Sequence, residues 1–179
     1  MEKGVFRVDL SGKERLLLYN QYEILKLLSK GDAEQVKSYE MSQKIVKYGY
    51  KHEYYELADW MFDELPDEDA KFVWDVFQMF DVLGTSFDNL PDEQKGTIDP
   101  YKIKFHGYDG NEEGSYLFYA TFVLRDMERY QWLWDEKKSL NSHCRMLGCY
   151  GRKLAKWKEI RDGEFSVLSY DQIMEIAEV

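Results

Sequence analysis

The stretch FVWDVFQMFDVL at residues 72–83 places the tightest limit on the fold, because apolar side chains surround nearly the whole of a helix drawn through it. A helix of that kind lies at the centre of a domain, with other elements packed on every side. Leu-Pro-Asp motifs at residues 65–67 and 90–92 interrupt the chain before and after it. These motifs predict a central helix over about residues 68–89.

Capping signals predict further helices along the chain. Ser11 and Glu14 form a capping box, in which the hydroxyl caps the first turn and the carboxylate reaches back to the preceding backbone. Asp32 is a typical N-cap for a second helix, and Gly49 is a typical stop for it. Ser169 begins another capping box near the end of the sequence. The predicted helices cover residues 11–29, 33–48, 53–64, 68–89 and 111–130, one from Asn141 or Ser142 to about 161, and a short stretch after 169.

The first predicted helix carries a wide apolar stripe. The short link around Gly31 predicts that this helix forms an antiparallel hairpin with the second one. The stripe is wider than one partner needs, so we expect more than one neighbour to cover the helix. One face holds Leu18, Tyr22, Leu25 and Leu28, and the side next to it holds Leu17, Ile24 and Leu27.

Together these patterns predict an all-α, multihelical protein. Residues 1–65 are expected to form an N-terminal helical hairpin subdomain, packed with a larger helical bundle over residues 66–179. Helices 68–89 and 111–130 are expected to supply the core of that bundle. The longest irregular segment is residues 91–109, and long ordered loops often have a function.

Several single residues have predictable structural roles. Gly107 is expected to supply a backbone angle that other residues avoid. Asp109 is expected to act as a turn or cap residue, and Glu113 to favour the first turn of the helix that comes after it. Gly148 and Gly151 are expected to permit a close crossing between helices.

Composition limits the partners and the location of the protein. The chain has 34 acidic and 24 basic residues, and its net charge of −10 argues against nucleic-acid binding by the whole molecule. Aromatic residues make up 16% of the chain, which suits interfaces between subunits. We find no secretory signal and no apolar run long enough to cross a bilayer. Cys144 and Cys149 share one predicted helix and are expected to be reduced thiols, so we expect a cytoplasmic protein without membrane contact.

No familiar arrangement of reactive residues is present in the sequence. None of His52, His106 and His143 follows an acidic residue at the spacing that metal sites in helical bundles need. Cys144 beside His143 suggests a thiol nucleophile, but neighbours on a helix point about 100° apart, which favours a packing or surface role. We therefore expect no catalytic residue, no metal site and no cofactor.

Four groups of residues resemble the signature of the YfbU family, and the resemblance runs from about Leu10 to the end of the chain. It implies a multihelical bacterial protein with two helical subdomains, and it implies no reaction. The groups are Arg15, Leu16, Leu17 and Leu18 with Asn20, Gln21 and Tyr22; Gly49 and Tyr50; Phe105, Gly107, Tyr108, Asp109, Glu113, Tyr116, Tyr119, Phe122, Arg129 and Tyr130; and Asn141, Met146, Tyr150, Leu154, Trp157, Leu168, Ser169 and Ile173.

Polar residues on the first helix give one candidate site. Amide side chains in the middle of an apolar helix are costly to bury without hydrogen bonds. The amides therefore belong either to a structural polar network, with Arg15 or Arg129 as a partner, or to a ligand pocket. A pocket requires that Asn20, Tyr22 and Arg129 converge on a concave space. The candidate ligand-binding residues are Asn20, Gln21, Tyr22, Asp109 and Arg129.

A local reversal of charge gives a second candidate site. Arg145, Arg152 and Lys156 fall on one face of the helix predicted to end near residue 161. One interpretation is a solvated face that pairs with acidic neighbours. The other is a strip that binds anions or nucleic acid.

The absence of a reactive constellation beside so much apolar and aromatic helix surface favours an interaction or regulatory role. We expect a non-enzymatic bacterial protein that acts as a homo-oligomer, with a dimer favoured, and that can have a protein partner. The alternative is a small-molecule-binding protein or enzyme with a polar pocket near Asn20, Tyr22 and Arg129. A second alternative is a nucleic-acid-associated regulator that uses the face around Arg145.

Overall fold

A computed structural model describes residues 8–135, 138–163 and 166–179. Every regular element in these ranges is a helix, so the all-α prediction is confirmed. An isolated bridge between Tyr108 and Asn141 is the one strand-like pairing in the described ranges. The chain divides into two compact units, one ending at Glu64 and the other running from Leu65 to Val179. Within the described residues, no helix has both the length and the apolar character needed to cross a membrane.

The first unit is built on a helical hairpin. Helix α1 spans Gly12–Leu28 and begins at the predicted capping box, where the Ser11 hydroxyl accepts from the Glu14 N–H and the Glu14 carboxylate accepts from the Ser11 N–H. Helix α2 spans Ala33–Tyr48, with Asp32 as its N-cap. The positions predicted for both helices are confirmed.

The end of α2 is held by a side chain from α1. Arg15 Nε donates to the Val46 carbonyl at 2.7 Å, and Arg15 Nη2 donates to the Lys47 carbonyl at 2.9 Å. The last carbonyls of a helix have no partner within it, so the guanidinium caps α2. Gly49 comes next in the left-handed region, at φ 68°, and a Cβ there would lie 2.9 Å from the guanidinium. Arg15 and Gly49 therefore form one joint between the two helices.

The prediction of a helix over residues 53–64 is wrong in both the type and the length of the helix. The structure has a 3₁₀ helix at Lys51–Leu57 instead, and the residues just before Pro66 have no helical structure. Only Tyr54 and Ala58 are buried in this stretch. Two apolar anchors give too little packing to hold a longer helix, because short helices depend on tertiary contacts.

The second unit is arranged around helix α3, Asp67–Asp88, in agreement with the predicted central helix. A one-turn helix α4, Asp92–Lys95, comes after it. The rings of Phe105 and Tyr150 pack against the middle of α3. The Phe105 ring centroid lies 5.0 Å from that of Phe77, and the Tyr150 centroid lies 5.3 Å from that of Phe80. The buried residues of α3 are Val73, Val76, Phe77, Met79, Phe80, Val82, Leu83 and Ser86.

The predicted long helix 111–130 is shorter than expected. Helix α5 spans Gly114–Thr121 and continues as a π-helix over Phe122–Asp126. Left-handed backbone at Glu128 (φ 54°) and Tyr130 (φ 52°) then ends the helical path. The turn brings the Tyr130 ring to 5.8 Å from the rings of Trp74 and Phe77, measured between centroids. Packing of Tyr130 against α3 accordingly accompanies the break in the helix.

The last two helices are α6, Leu147–Ile160, and α7, Tyr170–Ala177. The capping box at Ser169 is confirmed. The predicted cap of α6 at Asn141 or Ser142 is wrong, because α6 begins at Leu147. The Asn141 side-chain oxygen instead accepts from the N–H groups of Gly110 and His143, at 3.0 and 2.9 Å.

Gly107 has the backbone angle predicted for it, with φ 84°. A Cβ at this position would lie 1.6 Å from the Leu140 carbonyl oxygen. The expected close crossing at the α6 glycines is wrong: a Cβ at Gly151 would meet nothing within 4 Å, and one at Gly148 only the end of Arg152. Of these three glycines, only Gly107 is required by a close approach.

Replacing Gly107 with alanine should therefore destabilise the second unit by roughly 3 kcal/mol or more, through strain and the clash with Leu140. Gly151→Ala is the control and should stabilise the protein by about 0.5–1 kcal/mol, because alanine favours a helix more than glycine does. Urea unfolding followed by circular dichroism measures both. Equal stability of the two variants would contradict the assigned role of Gly107.

Candidate functional site

One surface feature of the first unit is an exposed apolar side of α1, which we call the α1 face. No residue of α1 is buried. Tyr22 turns toward α2, where its ring lies 6.1 Å from that of Tyr39, and partial burial raises the pKa of the Tyr22 hydroxyl. Within this unit α2 covers only part of the predicted stripe. The apolar members of the α1 face, each 53% to 77% exposed, are Leu16, Leu17, Ile24, Leu27 and Leu28.

Two of the candidate ligand-binding residues belong to this face or its edge. Asn20 and Gln21 are both exposed. At 100° per residue, Asn20 falls on the same side of the helix as Leu16 and Ile24. Tyr22 points about 200° away from Asn20, so these adjacent candidates do not share one surface.

Arg129 and Asp109 lie in the second unit. The Arg129 side chain is exposed, and its backbone N–H donates to the Val123 carbonyl at 3.0 Å. Asp109 is buried, and its Oδ1 accepts from the N–H groups of Asn111 and Glu112 at 2.7 and 3.0 Å. The turn role predicted for Asp109 is confirmed, and this oxygen is already occupied. A ligand-binding role for Arg129 stays a prediction.

The Glu113 carboxylate joins two segments of the second unit by accepting hydrogen bonds from the backbone of both. This carboxylate, 4% exposed, accepts from the N–H groups of Met146 and Leu147 at 2.8 and 2.9 Å and from the Asp109 N–H at 3.0 Å. Met146 and Leu147 begin α6, so a carboxylate that precedes α5 caps a different helix. Negative charge at a helix N-terminus is stabilised by the helix dipole as well as by these hydrogen bonds. The sequence pattern predicted a role for Glu113 only in its own helix, because no local signal points to a partner 33 residues away.

One cavity in the second unit lies beside the π-helix. It has a volume of about 410 Å³ and is lined by Leu124, Arg125, Glu128, Gln131 and Trp134. The Arg125 guanidinium lies 4.4 Å from the centre of the Trp134 ring. Glu128, which precedes Arg129 in the sequence, lines this cavity, but Arg129 does not.

A smaller cavity, of about 270 Å³, lies between the start of α3 and α5. The Tyr116 hydroxyl donates a short hydrogen bond to the Asp69 carboxylate at this point. Burial, and then the neighbouring carboxylate, raise the pKa of Tyr116 to about 12. The remaining lining residues are Glu68, Phe72 and Leu147.

The three cations of the proposed anion strip all have partners. Arg145 lies before the start of α6, not on it, and pairs with Glu112. Arg152 Nε donates to the Val179 carbonyl at 2.9 Å. Lys156 Nζ lies 3.0 Å from the Glu159 carboxylate and 3.9 Å from that of Glu175. Acidic side chains lie beside Arg145 and Lys156, as expected for a solvated face whose cations form ion pairs. Binding of anions or nucleic acid there stays a prediction.

The cysteines are both free thiols. Cys144 precedes α6 and only Cys149 lies on it, so their predicted common helix is wrong. The Cys144 thiol lies 3.6 Å from the Met146 sulfur, and the adjacent His143 has left-handed backbone. In the three described ranges, no group of His, Cys, Asp and Glu is arranged to hold a metal ion.

Replacing Glu113 with glutamine should destabilise the protein by roughly 2–3 kcal/mol, because an amide NH₂ would then face backbone donors that now share a carboxylate. Glu112→Gln is the matched control. It removes only an exposed ion pair and should cost less than about 1 kcal/mol. Urea unfolding of both variants gives the comparison. A loss at Glu113 no larger than that at Glu112 would exclude the capping role.

The Tyr116→Phe variant should show a pH-dependent loss of stability. The Tyr116 pKa is about 12 in the folded protein, against a usual value of 10.0. The neutral hydroxyl is therefore favoured by folding, and its contribution is complete below pH 10 and lost as the pH rises toward 12. Unfolding midpoints from pH 7 to 12 should show the variant less stable than the parent, by about 1–2 kcal/mol at pH 7, with the gap closing above pH 10. A constant gap across that range would contradict this assignment.

The chain is similar to a known family over almost its whole length. Residues 8–179 match the YfbU domain, which confirms the predicted family. A UPF0304 protein of Methanocaldococcus jannaschii is 31% identical over 171 residues, covering 93% of this chain and 98% of the relative. A UPF0304 protein of Pasteurella multocida is 31% identical over 150 residues, covering 84% of this chain and 88% of the relative.

Proposed function

The chain belongs to the YfbU family, and we propose that it is a non-enzymatic interaction or regulatory protein that acts as a homo-oligomer. A dimer is the simplest form. The proposal includes a cytoplasmic location in a bacterium, where the two free thiols stay reduced.

The observation that carries the proposal is the α1 face. Its five apolar side chains each expose more than half of their surface. Full burial of a leucine or isoleucine stabilises by roughly 1.5–3 kcal/mol, so covering the exposed part of each contributes roughly 1 kcal/mol. Contiguous apolar surface of this kind is typical of protein–protein contacts. A partner that covers the face therefore gains a useful part of its binding free energy from it.

The charge pattern of α1 favours a second copy as that partner. The protein has a net charge of −10, so contact between two copies is least unfavourable through a surface that lacks carboxylates. The α1 face has none: Glu14 and Glu23 are at its margins, where each forms a hydrogen bond within its own chain. Lys13 at one end is the single charged residue among its side chains.

The two alternatives have less support. A pocket shared by Asn20 and Tyr22 would need side chains that point to different sides of α1. A nucleic-acid face around Arg145 would need cations that are free of acidic partners, whereas Arg145 and Lys156 both have them. The overall acidic charge works against nucleic acid as well.

The Ile24→Glu variant should be monomeric under conditions in which the parent protein is a dimer, because burying a carboxylate in an apolar contact is costly. Size-exclusion chromatography with light scattering, over a range of concentrations, measures the mass of each.

Val167→Glu is the matched control, since Val167 is an exposed apolar residue outside the first unit. It introduces the same charge and should leave the mass unchanged. A parent protein that remains monomeric at high concentration would refute the proposal. A dimer that Ile24→Glu does not weaken would exclude the α1 face as its interface.

A further inference from the structure

We propose that the α1 helices of two copies cross in an antiparallel manner on a twofold axis, with Asn20 of one copy against Asn20 of the other. This inference rests on the proposed homo-oligomer and names its geometry. In this arrangement Asn20 fixes the relative orientation and the register of the two α1 helices. The fold of a single chain does not require that role.

The position of Asn20 supports the axis. Helix α1 spans Gly12–Leu28, so Asn20 is its middle residue, eight positions from either end. A twofold axis through the middle of an antiparallel pair places each residue opposite one equally far on the other side of the centre. Leu16 of one copy then faces Ile24 of the other, and both are exposed apolar residues. The face is thus complementary to itself in this orientation.

Lys13, near the N-terminal end of the α1 face, disfavours a parallel arrangement of the two α1 helices. Lys13 is exposed and falls on the same side of α1 as Leu16 and Asn20. Parallel helices in register would place the two Lys13 ammonium groups opposite each other, and like charges so placed destabilise a helix pair. In the antiparallel pair Lys13 of one copy faces Leu27 of the other. Its aliphatic stem can cover that leucine while the charged end stays in water.

The amide of Asn20 favours one register over others. An amide carries both donors and an acceptor, so two such groups related by a twofold axis satisfy each other. Any shift along the helix buries each amide against leucine or isoleucine without a partner, at the cost of an unmet hydrogen bond. One polar residue in an otherwise apolar helix seam is a known means of fixing orientation and oligomeric state. Gln21, exposed at the edge of the face, flanks the pair.

Disulfide cross-linking tests this geometry in the 179-residue chain with Cys144 and Cys149 replaced by serine. A disulfide requires Cα atoms within about 7 Å of each other. Under mild oxidation, Asn20→Cys should form a covalent dimer. Leu28→Cys should not, because the two Leu28 positions would be about 24 Å apart, at 1.5 Å of rise per residue. Non-reducing electrophoresis should show at least a tenfold difference in dimer yield.

A mixture provides a second test that leaves Asn20 in place. Leu16→Cys and Ile24→Cys copies should cross-link to each other when mixed, at least tenfold more than either does alone. Strong cross-linking of Leu28→Cys would overturn the antiparallel arrangement. Failure of both Asn20→Cys and the mixture, in samples that light scattering shows to be dimeric, would overturn this inference while the homo-oligomer stands. Monomeric samples, with the parent chain monomeric too, would refute both.

Discussion

The hydrogen bonds to the buried carboxylate of Glu113 are the interaction on which the second unit depends most. This one side chain joins the turn at Asp109 to the first residues of α6, so two segments far apart in the sequence share a single acceptor. Gly107 permits a second close contact between distant segments, because its missing side chain lets the backbone reach Leu140. The rings of Phe105 and Tyr150 each contact that of Tyr108, and both also contact the Phe80 ring of α3. Burial of a charge is tolerated here because backbone N–H groups and a helix dipole surround it.

In the first unit a similar task belongs to Arg15. Its guanidinium caps α2 from the side of α1, so the two helices of the hairpin are tied at the end where α2 finishes. The buried Gln43 makes a second tie, through its amide, to the Tyr19 carbonyl and the Glu23 carboxylate. These polar contacts fix which side of α1 turns toward α2. The leucines on the opposite side are left exposed as a consequence, and they are the surface for which we propose a partner.

Local signals in the sequence were enough to place α1, α2, α3 and α7. Ser11, Asp32, Gly49 and Ser169 act on residues within one turn of themselves, so their effect can be predicted without knowing the rest of the fold. The π-helix after Thr121 and the true start of α6 could not be placed in this way. Both accompany contacts with residues more than thirty positions away, such as Tyr130 on Trp74 and Met146 on Glu113.

The candidate surface was partly predictable for the same reason. The width of the apolar stripe on α1 is evident from the spacing of its residues, and within the first unit α2 indeed covers only part of it. Which half would meet α2 depended on Arg15 and Gln43, whose partners are in the other helix. The amides of Asn20 and Gln21 were expected to be either networked or in a pocket, and they proved to be exposed on the uncovered half.

The π-helix at Phe122–Asp126 has a further consequence for how this segment tolerates change in length. Its hydrogen bonds span five residues where an α-helix spans four, so the turn accommodates one residue more than regular helix would. Deleting a single residue there would let the helix continue in ordinary geometry. The same deletion would leave the chain beyond it close to its present orientation, because a π turn sweeps nearly the same angle with one residue more than an α turn. A shortened variant would thus gain a more regular helix and keep the contact of Tyr130 with the rings of α3.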